Sequence, residues 1–150
     1  MSPEPPVILI VEDNKDHAEL VIRSLKSHSI DYTIQHVQDG NQALDYLFQR
    51  NDFTDSKKYP RPALILVDLR MPKVDGLEVL QQVKRDEKLR CIPIVVLTTS
   101  KANQDMVDAF AHHANSYLVK PLDFDIFKSQ LIDLCTYWLK WNKLPDASAQ

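Results

Sequence analysis

The sequence predicts an α/β protein with a doubly wound, five-stranded parallel sheet of strand order 2-1-3-4-5. Five short apolar segments alternate along the chain with segments whose apolar residues recur at helical spacing. Strands that are apolar throughout are typical of parallel sheets covered by helices on both faces. Right-handed crossover connections restrict the possible topologies and favour this strand order. We therefore expect a flavodoxin-like fold.

The predicted strands are short runs rich in Val, Ile and Leu. In chain order they cover residues 7–11, 32–37, 63–67, 92–97 and 116–119. The third run, which begins at Ala63, ends directly on the carboxylate of Asp68. The last predicted helix starts at about Asp123, and its apolar stripe, spaced 3-4-3-4, consists of Phe124, Phe127, Leu131, Leu134 and Trp138. We expect this stripe, Phe124 included, to pack against the sheet.

Length and composition limit the classes of function. A chain of 150 residues is the usual size of one domain, and we expect a tail over 1–6, a folded domain over 7–138 and an extension over 139–150. A formal charge of −3 without a basic run argues against nucleic-acid binding. No apolar stretch reaches the ~20 residues of a membrane span and no signal-peptide pattern is present, so we expect a cytoplasmic protein without membrane contact. The only glycines are Gly40 and Gly76, which are too far apart in sequence to form either of the common phosphate-binding loops, G-x-G-x-x-G or G-x-x-x-x-G-K-[ST].

The segment from Arg50 to Pro62 is unusual for its length. It is polar and is bounded by prolines, whereas a connection between a helix and a strand usually has ~2–6 residues. A functional insertion and a flexible excursion are both compatible with its sequence.

Polar residues follow four of the apolar strands, at the edge where an open parallel sheet binds ligands. Taken singly, each could be a turn residue, a helix cap or a solvent-exposed side chain. Together they are the only polar residues that end four otherwise apolar strands, so we expect them to form one site. They are Glu12 and Asp13 after the first strand, Asp68 after the third, Thr98 after the fourth and Lys120 after the fifth.

Crowded carboxylates at this edge would require a cation. Like charges ~4 Å apart repel by ~4 kcal/mol at an effective dielectric constant of 20. Oxygen ligands suit Mg²⁺ or Mn²⁺, whereas zinc would need His or Cys. We expect none of the histidines to lie near the cluster: His17, His28, His36, His112 and His113.

A cation held by carboxylates, together with a lysine and a hydroxyl, predicts a phosphoryl-transfer site. Asp68 is the best candidate nucleophile because it stands centrally in the predicted sheet, and its phosphorylation would give an acyl phosphate. Thr98 and Lys120 are the residues expected to assist it.

The same positions resemble the sequence signature of response-regulator receiver domains, the phosphoacceptor proteins of two-component signalling. The separations of 30 residues from Asp68 to Thr98 and of 52 residues from Asp68 to Lys120 match that family's spacing, and the resemblance covers about residues 7 to 135. The matching residues are Glu12-Asp13, Asp68-Leu69-Arg70-Met71-Pro72, Asp75-Gly76, Thr98, Tyr117 and Lys120-Pro121.

The resemblance implies specific roles. Asp68 would take a phosphoryl group from a histidine kinase, and Lys120 would pair with the phosphoryl oxygens. Asp13, Asp68 and the backbone carbonyl of Arg70 would bind Mg²⁺, with Glu12 acting largely through water. The protein would be a signalling protein, not an enzyme, and would catalyse only its own phosphorylation and dephosphorylation.

The resemblance also implies a conformational switch formed by Thr98 and Tyr117, and a cis peptide bond between Lys120 and Pro121. One departure from the family is Thr99, where a smaller residue is common, and it leaves the rates of phosphorylation and dephosphorylation open. Arg70 could also reach across the mouth of the site.

Two further features resemble the small single-domain receivers that partner cyanobacterial phytochromes. These are the long loop before Ala63 and the aromatic C-terminal stretch around Trp138 and Trp141. The likeness implies a phytochrome-type histidine kinase as partner. No output domain follows the receiver in this sequence, so we expect signalling by protein contact. The apolar residues beyond the last stripe predict a homodimer through the last helix and the C-terminal extension.

Two alternatives are weighed against this interpretation. An Asp-nucleophile phosphohydrolase of the haloacid-dehalogenase kind would need a second Asp two residues after the nucleophile, where Arg70 stands. A receiver-like binding module that works without phosphorylation would not require the intact acidic cluster, Thr98 and Lys120. Both are therefore less favoured than a phosphoacceptor.

Overall fold

The central feature of the computed structural model is a parallel sheet of five strands in the order β2-β1-β3-β4-β5. This order confirms the predicted topology. The structure describes residues 4–27, 31–71 and 74–144. The expectations for residues 1–3, His28, Pro72 and residues 145–150 lie outside the described residues. No helix within the described ranges is both long and apolar enough to cross a bilayer.

The strands lie close to their predicted positions. They are β1 Val7–Val11, β2 Thr33–Val37, β3 Leu64–Val67, β4 Ile94–Thr98 and β5 Ser116–Val119. Every residue of β1, β3 and β4 is buried, because helices cover both faces of the central strands. The edge strands β2 and β5 are only partly buried.

The helices alternate with the strands as predicted. They are α1 Lys15–Lys26, α2 Gly40–Leu47, α3 Gly76–Arg85, α4 Asn103–Ala111 and α5 Phe124–Thr136, with a 3₁₀ turn Asn51–Phe53 and a π-helical turn Tyr137–Trp141. Four helices begin at a side-chain cap that accepts a backbone N–H three residues later, which satisfies one of the unpaired donors of the first turn. The caps are Asn14, Asp39, Asp75 and Asp123.

The core consists of two layers, one on each face of the sheet. Alternate residues of a strand face opposite layers, so Leu9 and Val11 belong to the layer under α2, α3 and α4. Ile8 and Ile10 belong to the layer under α1 and α5. Both layers hold the carboxyl ends of the strands at one edge of the sheet, where the candidate site lies.

Helix α5 packs on the sheet through a stripe that differs in part from the predicted one. Phe127, Leu131 and Cys135 are buried, and Trp138 is partly buried against the same layer. The prediction that Phe124 faces inward is wrong, since it is 41% exposed. Phe124 is the first residue of the helix, and it lies at the end of the helix where the strands also end, so little of the sheet is available to cover it.

The long segment before β3 is held against α2 by aromatic packing. The rings of Tyr46, Phe53 and Tyr59 lie with centroids 4.8 to 5.7 Å apart. Tyr46 Oη donates a hydrogen bond to the backbone oxygen of Pro60 at 2.8 Å. The segment therefore has its own small apolar cluster, which occupies the end of α2 away from the candidate site.

Candidate functional site

Three charged side chains meet at the carboxyl edge of the sheet. Lys120 Nζ lies 2.6 Å from Glu12 Oε1 and 3.6 Å from Asp68 Oδ2. The side chains of Glu12, Lys120 and Asp68 are only 4%, 8% and 12% exposed. Water therefore screens these charges poorly, and they interact strongly with one another.

The peptide bond that follows Lys120, just after the end of β5, is trans. The expected cis bond between Lys120 and Pro121 is wrong, because no cis bond occurs among the described residues. The backbone N–H of Lys120 donates to the oxygen of Thr98 at 2.8 Å, which keeps the end of β5 beside β4. A trans bond is therefore compatible with a lysine side chain directed into the site.

The carboxyl group of Glu12 is the most deeply buried charge of the cluster. Burial raises its pKa above the usual value, and the negative charge of Asp68 acts in the same direction. The hydrogen bond and positive charge of Lys120 oppose both effects. The positive charge of Lys120 thus offsets part of the cost of burying the Glu12 carboxylate.

His17 also lies in the site, so the expectation that no histidine lies near the cluster is wrong. Its Nδ1 is 3.2 Å from Lys120 Nζ and 3.7 Å from Glu12 Oε1. His36 approaches as well, with Nε2 2.9 Å from the backbone oxygen of Glu12. Helix α1 starts directly after the acidic pair, and this start could have indicated that its first turn covers the site.

Asp13 and Arg70, two of the predicted metal-binding residues, lie at the edge of the charged cluster. The side chain of Asp13 is exposed, and it is absent from the group of potential ligand atoms that lie within 4.8 Å of one another, which comprises Glu12, His17 and Asp68. The backbone N–H of Arg70 donates to Asp68 Oδ1 at 3.2 Å. The structure thus brings together Glu12, Asp68 and Lys120, and leaves Asp13 facing solvent.

The side chain of Arg70 turns away from Asp68 to helix α4. Its Nη2 lies 2.6 Å from Asp105 Oδ2, and this oxygen also accepts a hydrogen bond from Ser100 Oγ at 2.5 Å. The hydrogen bond from Ser100 and the guanidinium of Arg70 lower the pKa of Asp105. A link therefore joins the loop after β3 to the loop after β4.

The two candidate switch residues meet at Ser100. Thr98 is fully buried, and its Oγ1 accepts a hydrogen bond from the backbone N–H of Ser100 at 3.3 Å. Tyr117 Oη donates to the backbone oxygen of Ser100 at 3.1 Å. Sequence reasoning missed Ser100 and Asp105; the run of three hydroxyl residues that begins at Thr98 was the available signal for Ser100.

Comparison with known protein families identifies the family to which this chain belongs. Residues 8–132 match the family described as the response regulator receiver domain. The chain belongs to the receiver family of response regulators. Receivers are signalling proteins of two-component systems and not enzymes in the ordinary sense, which agrees with the resemblance identified from the sequence.

Two curated relatives resemble this receiver over nearly its whole length. FilR2 of Methanothrix harundinacea, named as a probable methanogenesis regulatory protein, is 46% identical over 142 residues, which cover 95% of this chain and 89% of the relative. The response regulator Rcp1 of Synechocystis sp. is 41% identical over 144 residues, which cover 95% of both chains.

Solved structures of response regulators have the same fold as this receiver. The phosphorylated cyanobacterial phytochrome response regulator RcpA superposes with a TM-score of 0.88 at 34% identity, covering 95% of this chain and 99% of that one. The Mn²⁺-bound form of Rcp1 superposes with a TM-score of 0.85 at 38% identity, covering 95% of this chain and all of that one. The receiver is thus similar to phytochrome response regulators in sequence and in structure.

The donor groups of the receiver site fit a hard divalent cation. Glu12 and Asp68 contribute carboxylate oxygens from the ends of β1 and β3, and these oxygens already face a positive charge, the ammonium of Lys120. Carboxylate oxygens are the ligands that Mg²⁺ and Mn²⁺ prefer. The residues present are therefore suitable for such an ion.

Proposed function

We propose that this receiver accepts a phosphoryl group on Asp68 from a histidine kinase, with Mg²⁺ or Mn²⁺, and passes the signal on by protein contact. The observation that carries the proposal is the convergence of Asp68, Glu12 and Lys120 in a poorly hydrated cluster. The phytochrome response regulators similar to this chain support it, since one of them was solved in a phosphorylated form and another with Mn²⁺.

Each residue has a definite part in the proposed transfer. A carboxylate oxygen of Asp68 attacks phosphorus, and the new P–O bond forms as the P–N bond of a phosphohistidine breaks. Lys120, 3.6 Å from Asp68 Oδ2, neutralises charge on the phosphoryl oxygens. A divalent cation held by these residues would supply further electrostatic stabilisation of those oxygens.

The proposed ligands of the cation are Asp13, Asp68 and the backbone carbonyl of Arg70, with Glu12 acting through water. Thr98 and Tyr117 form the proposed switch. The phosphoacceptor catalyses only its own phosphorylation and dephosphorylation.

Labelling with acetyl phosphate tests the proposal. The wild-type protein should incorporate a stable, hydroxylamine-sensitive phosphoryl label that requires a divalent cation and disappears on chelation. Asp68→Asn should abolish the label, whereas the control Asp125→Asn, exposed in the first turn of α5, should retain it. Full labelling of the Asp68 variant would defeat the assignment. Sustained turnover of an added phosphate ester would favour the hydrolase, and no label at all would favour the binding module.

We propose that this receiver is a cytoplasmic protein and that its phosphoryl donor is a phytochrome-type kinase. The similarity to Rcp1 and to the phytochrome response regulator RcpA supports this partner. FilR2 is named as a probable methanogenesis regulatory protein and not as a phytochrome response regulator, so a histidine kinase of another class is the second candidate. Phosphotransfer from equal amounts of the two classes of labelled kinase separates them. Much faster transfer from the phytochrome-type kinase is expected, and the reverse order would favour the second candidate.

We also propose a homodimer formed by helix α5 and the extension over residues 139–150, beyond a receiver domain over 7–138. Apolar side chains on this part of the surface are 41% to 65% exposed, and their burial in a symmetric pair would stabilise association. They include Phe124 at 41%, Ile126 at 51%, Tyr137 at 46%, Trp141 at 65% and Leu144 at 45%.

Sedimentation tests the proposed dimer. The intact chain should sediment as a dimer and a chain ending at Lys140 as a monomer, whereas a control chain ending at Leu144 keeps the exposed apolar residues and should remain dimeric. Monomeric behaviour of the intact chain at high concentration would contradict the proposal.

A further inference from the structure

We propose that a cavity between the long segment before β3 and the ends of α2 and α3 binds a small organic anion that carries an aromatic ring. Pro62 precedes β3 whereas Asp68 follows it, so the cavity lies at the opposite edge of the sheet from the phosphoacceptor. Its volume of about 620 Å³ is within the ~300–1,000 Å³ that is typical of small-molecule sites. Its lining consists of residues 46–49, Tyr59, Arg61, Pro62 and residues 85–89.

The aromatic wall of this cavity is held in place by contacts between α2 and the long segment. Tyr46 is buried at the end of α2, and its Oη donates to the backbone oxygen of Pro60 at 2.8 Å. The ring of Tyr59 packs edge-on against that of Tyr46, with 5.7 Å between the centroids. Phe53 packs against both rings without lining the cavity. Because these rings are already positioned, a planar ligand packs against them with little cost of reorganisation.

The loop after α3 forms a second wall that is joined directly to the long segment. Arg61 Nη1 donates a hydrogen bond to the backbone oxygen of Lys88. The carboxylate of Asp86, the residue after α3, accepts the backbone N–H groups of Lys88 and Leu89 at 2.8 and 3.1 Å. These contacts fix the backbone of the loop, so the charged side chains that it carries project from a defined frame.

Cationic side chains outnumber carboxylates in the lining. Arg61, Arg85 and Lys88 are positively charged, and none of them belongs to an ion pair within the part of the chain that the structure describes. Of the two carboxylates, Asp86 already accepts two backbone N–H groups, and Glu87 is exposed to solvent. The guanidinium of Arg61 keeps further donors, since an arginine has five N–H groups. Unpaired cationic groups beside a ring suit a carboxylate, sulfonate or phosphate on an aromatic ligand.

The backbone of the lining favours a small molecule over an acidic peptide. The N–H groups of Phe48 and Gln49 donate to carbonyl oxygens of α2, and those of Lys88 and Leu89 donate to Asp86. A peptide main chain placed here would find none of these four donors free for its own carbonyl groups. A compact anion needs only the cationic side chains and the rings.

The long segment before β3 is, on this assignment, a functional insertion and not a flexible excursion. It supplies Tyr59 to the aromatic wall and Arg61 to the charged wall. Its hydrogen bonds to Tyr46 and to the loop after α3 connect it to both neighbouring helices. Its length therefore serves to build a cavity that a connection of ~2–6 residues would not enclose.

Amide chemical shifts of the ¹⁵N-labelled full-length protein test the proposal with three matched probes. These are naphthoate, its neutral amide naphthamide, and acetate, which keeps the carboxylate but lacks the ring. Naphthoate should cause saturable shifts centred on the lining and should bind about fivefold more tightly than naphthamide, or better, because only naphthoate pairs with the cationic side chains. Acetate should cause no saturable shift over the same concentrations. The titration needs neither a cation nor phosphorylation, so its outcome is independent of the proposed phosphoryl transfer.

Two substitutions of exposed side chains test the charged wall with little risk to the fold. Arg85→Gln and Lys88→Gln should each weaken naphthoate binding by about fivefold and leave naphthamide binding unchanged. The control Lys26→Gln, which removes an exposed positive charge from the last turn of α1, should bind naphthoate like wild type.

Three results would overturn the proposed anion site. They are the absence of saturable naphthoate binding, equal affinities for naphthoate and naphthamide, and shifts centred on the exposed aromatic residues of α5 and of the π-helical turn instead of the lining. Tighter binding of a capped peptide of glutamate and phenylalanine at the same residues would also overturn it, and would assign the cavity to a protein partner.

Discussion

Tyr117 Oη donates a hydrogen bond to the backbone oxygen of Ser100, with 3.1 Å between the two oxygens. On the other side of the same residue, the N–H of Ser100 donates to Thr98 Oγ1 at 3.3 Å. The two candidate switch residues thus bind the same loop residue, Thr98 through its backbone N–H and Tyr117 through its backbone oxygen. A phosphoryl group on Asp68 that attracted the buried Thr98 hydroxyl would weaken one of these two bonds. Movement of Ser100 would in turn affect the hydrogen bond to Tyr117.

Thr98→Ala should still accept a phosphoryl group but lose the conformational response of helix α4. The variant keeps Asp68 and Lys120, whereas it lacks the hydroxyl that could bond a phosphoryl oxygen, and a ligand shifts an equilibrium only by its differential affinity for the two states. Amide exchange across Asn103–Ala111, with and without phosphorylation, measures the response. Thr99 is the exposed neighbour of Thr98 in sequence, and Thr99→Ala serves as the control. This variant should show the same change in amide exchange on phosphorylation as wild type. A normal response of the Thr98 variant would show that the coupling runs through other residues.

Arg70→Gln should cost little stability, and Asp105→Asn should cost more. The pair between Arg70 and Asp105 is short, at 2.6 Å, but the arginine side chain is 70% exposed, and exposed ion pairs contribute little to stability because water screens them. Asp105 additionally accepts a hydrogen bond from Ser100 Oγ, which an amide reproduces less well. Urea unfolding of the two variants compares their free energies. An equal or larger loss for Arg70→Gln would contradict this order.

Gly76→Ala should destabilise the receiver and reduce the labelling of Asp68. A Cβ at this position would clash with the backbone oxygen of Asp68, and Gly76 N–H also donates to the backbone oxygen of Leu69 at 3.1 Å. Relief of the clash requires a backbone shift, for which overpacking costs of ~1–3 kcal/mol are typical. Thermal unfolding and acetyl phosphate labelling measure the two effects. The control Glu78→Ala, exposed on the same helical turn, should leave the labelling unchanged.

Lys84 should make the stability of the receiver increase with pH in the alkaline range. Burial lowers its pKa from 10.5 to about 8, although its ammonium donates to the backbone oxygens of Arg90 and Ile92 at 2.9 and 2.8 Å. Between those two pKa values the unfolded chain binds more protons than the folded protein, so the free energy of unfolding rises as pH increases.

The comparison of wild type with Lys84→Met isolates this effect, because the other titrating groups are common to both proteins. Urea unfolding between pH 7 and pH 10 should show wild type becoming more stable relative to the variant as pH rises. A relative loss of wild-type stability would mean that the hydrogen bonds to Lys84 favour its charged form more than burial disfavours it.

The fold and the main groups of the site could be predicted from the sequence. Apolar runs of strand length that alternate with helical spacing specify a parallel sheet, and the strand order follows from the handedness of the crossovers. Parallel strands end at the same edge, so residues that directly follow them, such as Glu12, Asp68 and Lys120, meet there whatever lies between them in the chain. These features depend on local periodicity and on backbone topology.

The directions of side chains and the contacts between distant loops could not be predicted from the sequence, because they depend on how the elements pack. His17 and Lys120 are 103 residues apart in sequence, and Arg70 and Asp105 are 35 apart, yet each pair is in direct contact. The exposure of Phe124 and the trans peptide bond before Pro121 also depend on contacts between elements and were not predicted. Periodicity indicates which face of an element is buried. It does not specify which rotamer a polar side chain adopts at the end of that element, because partners from other elements determine the choice.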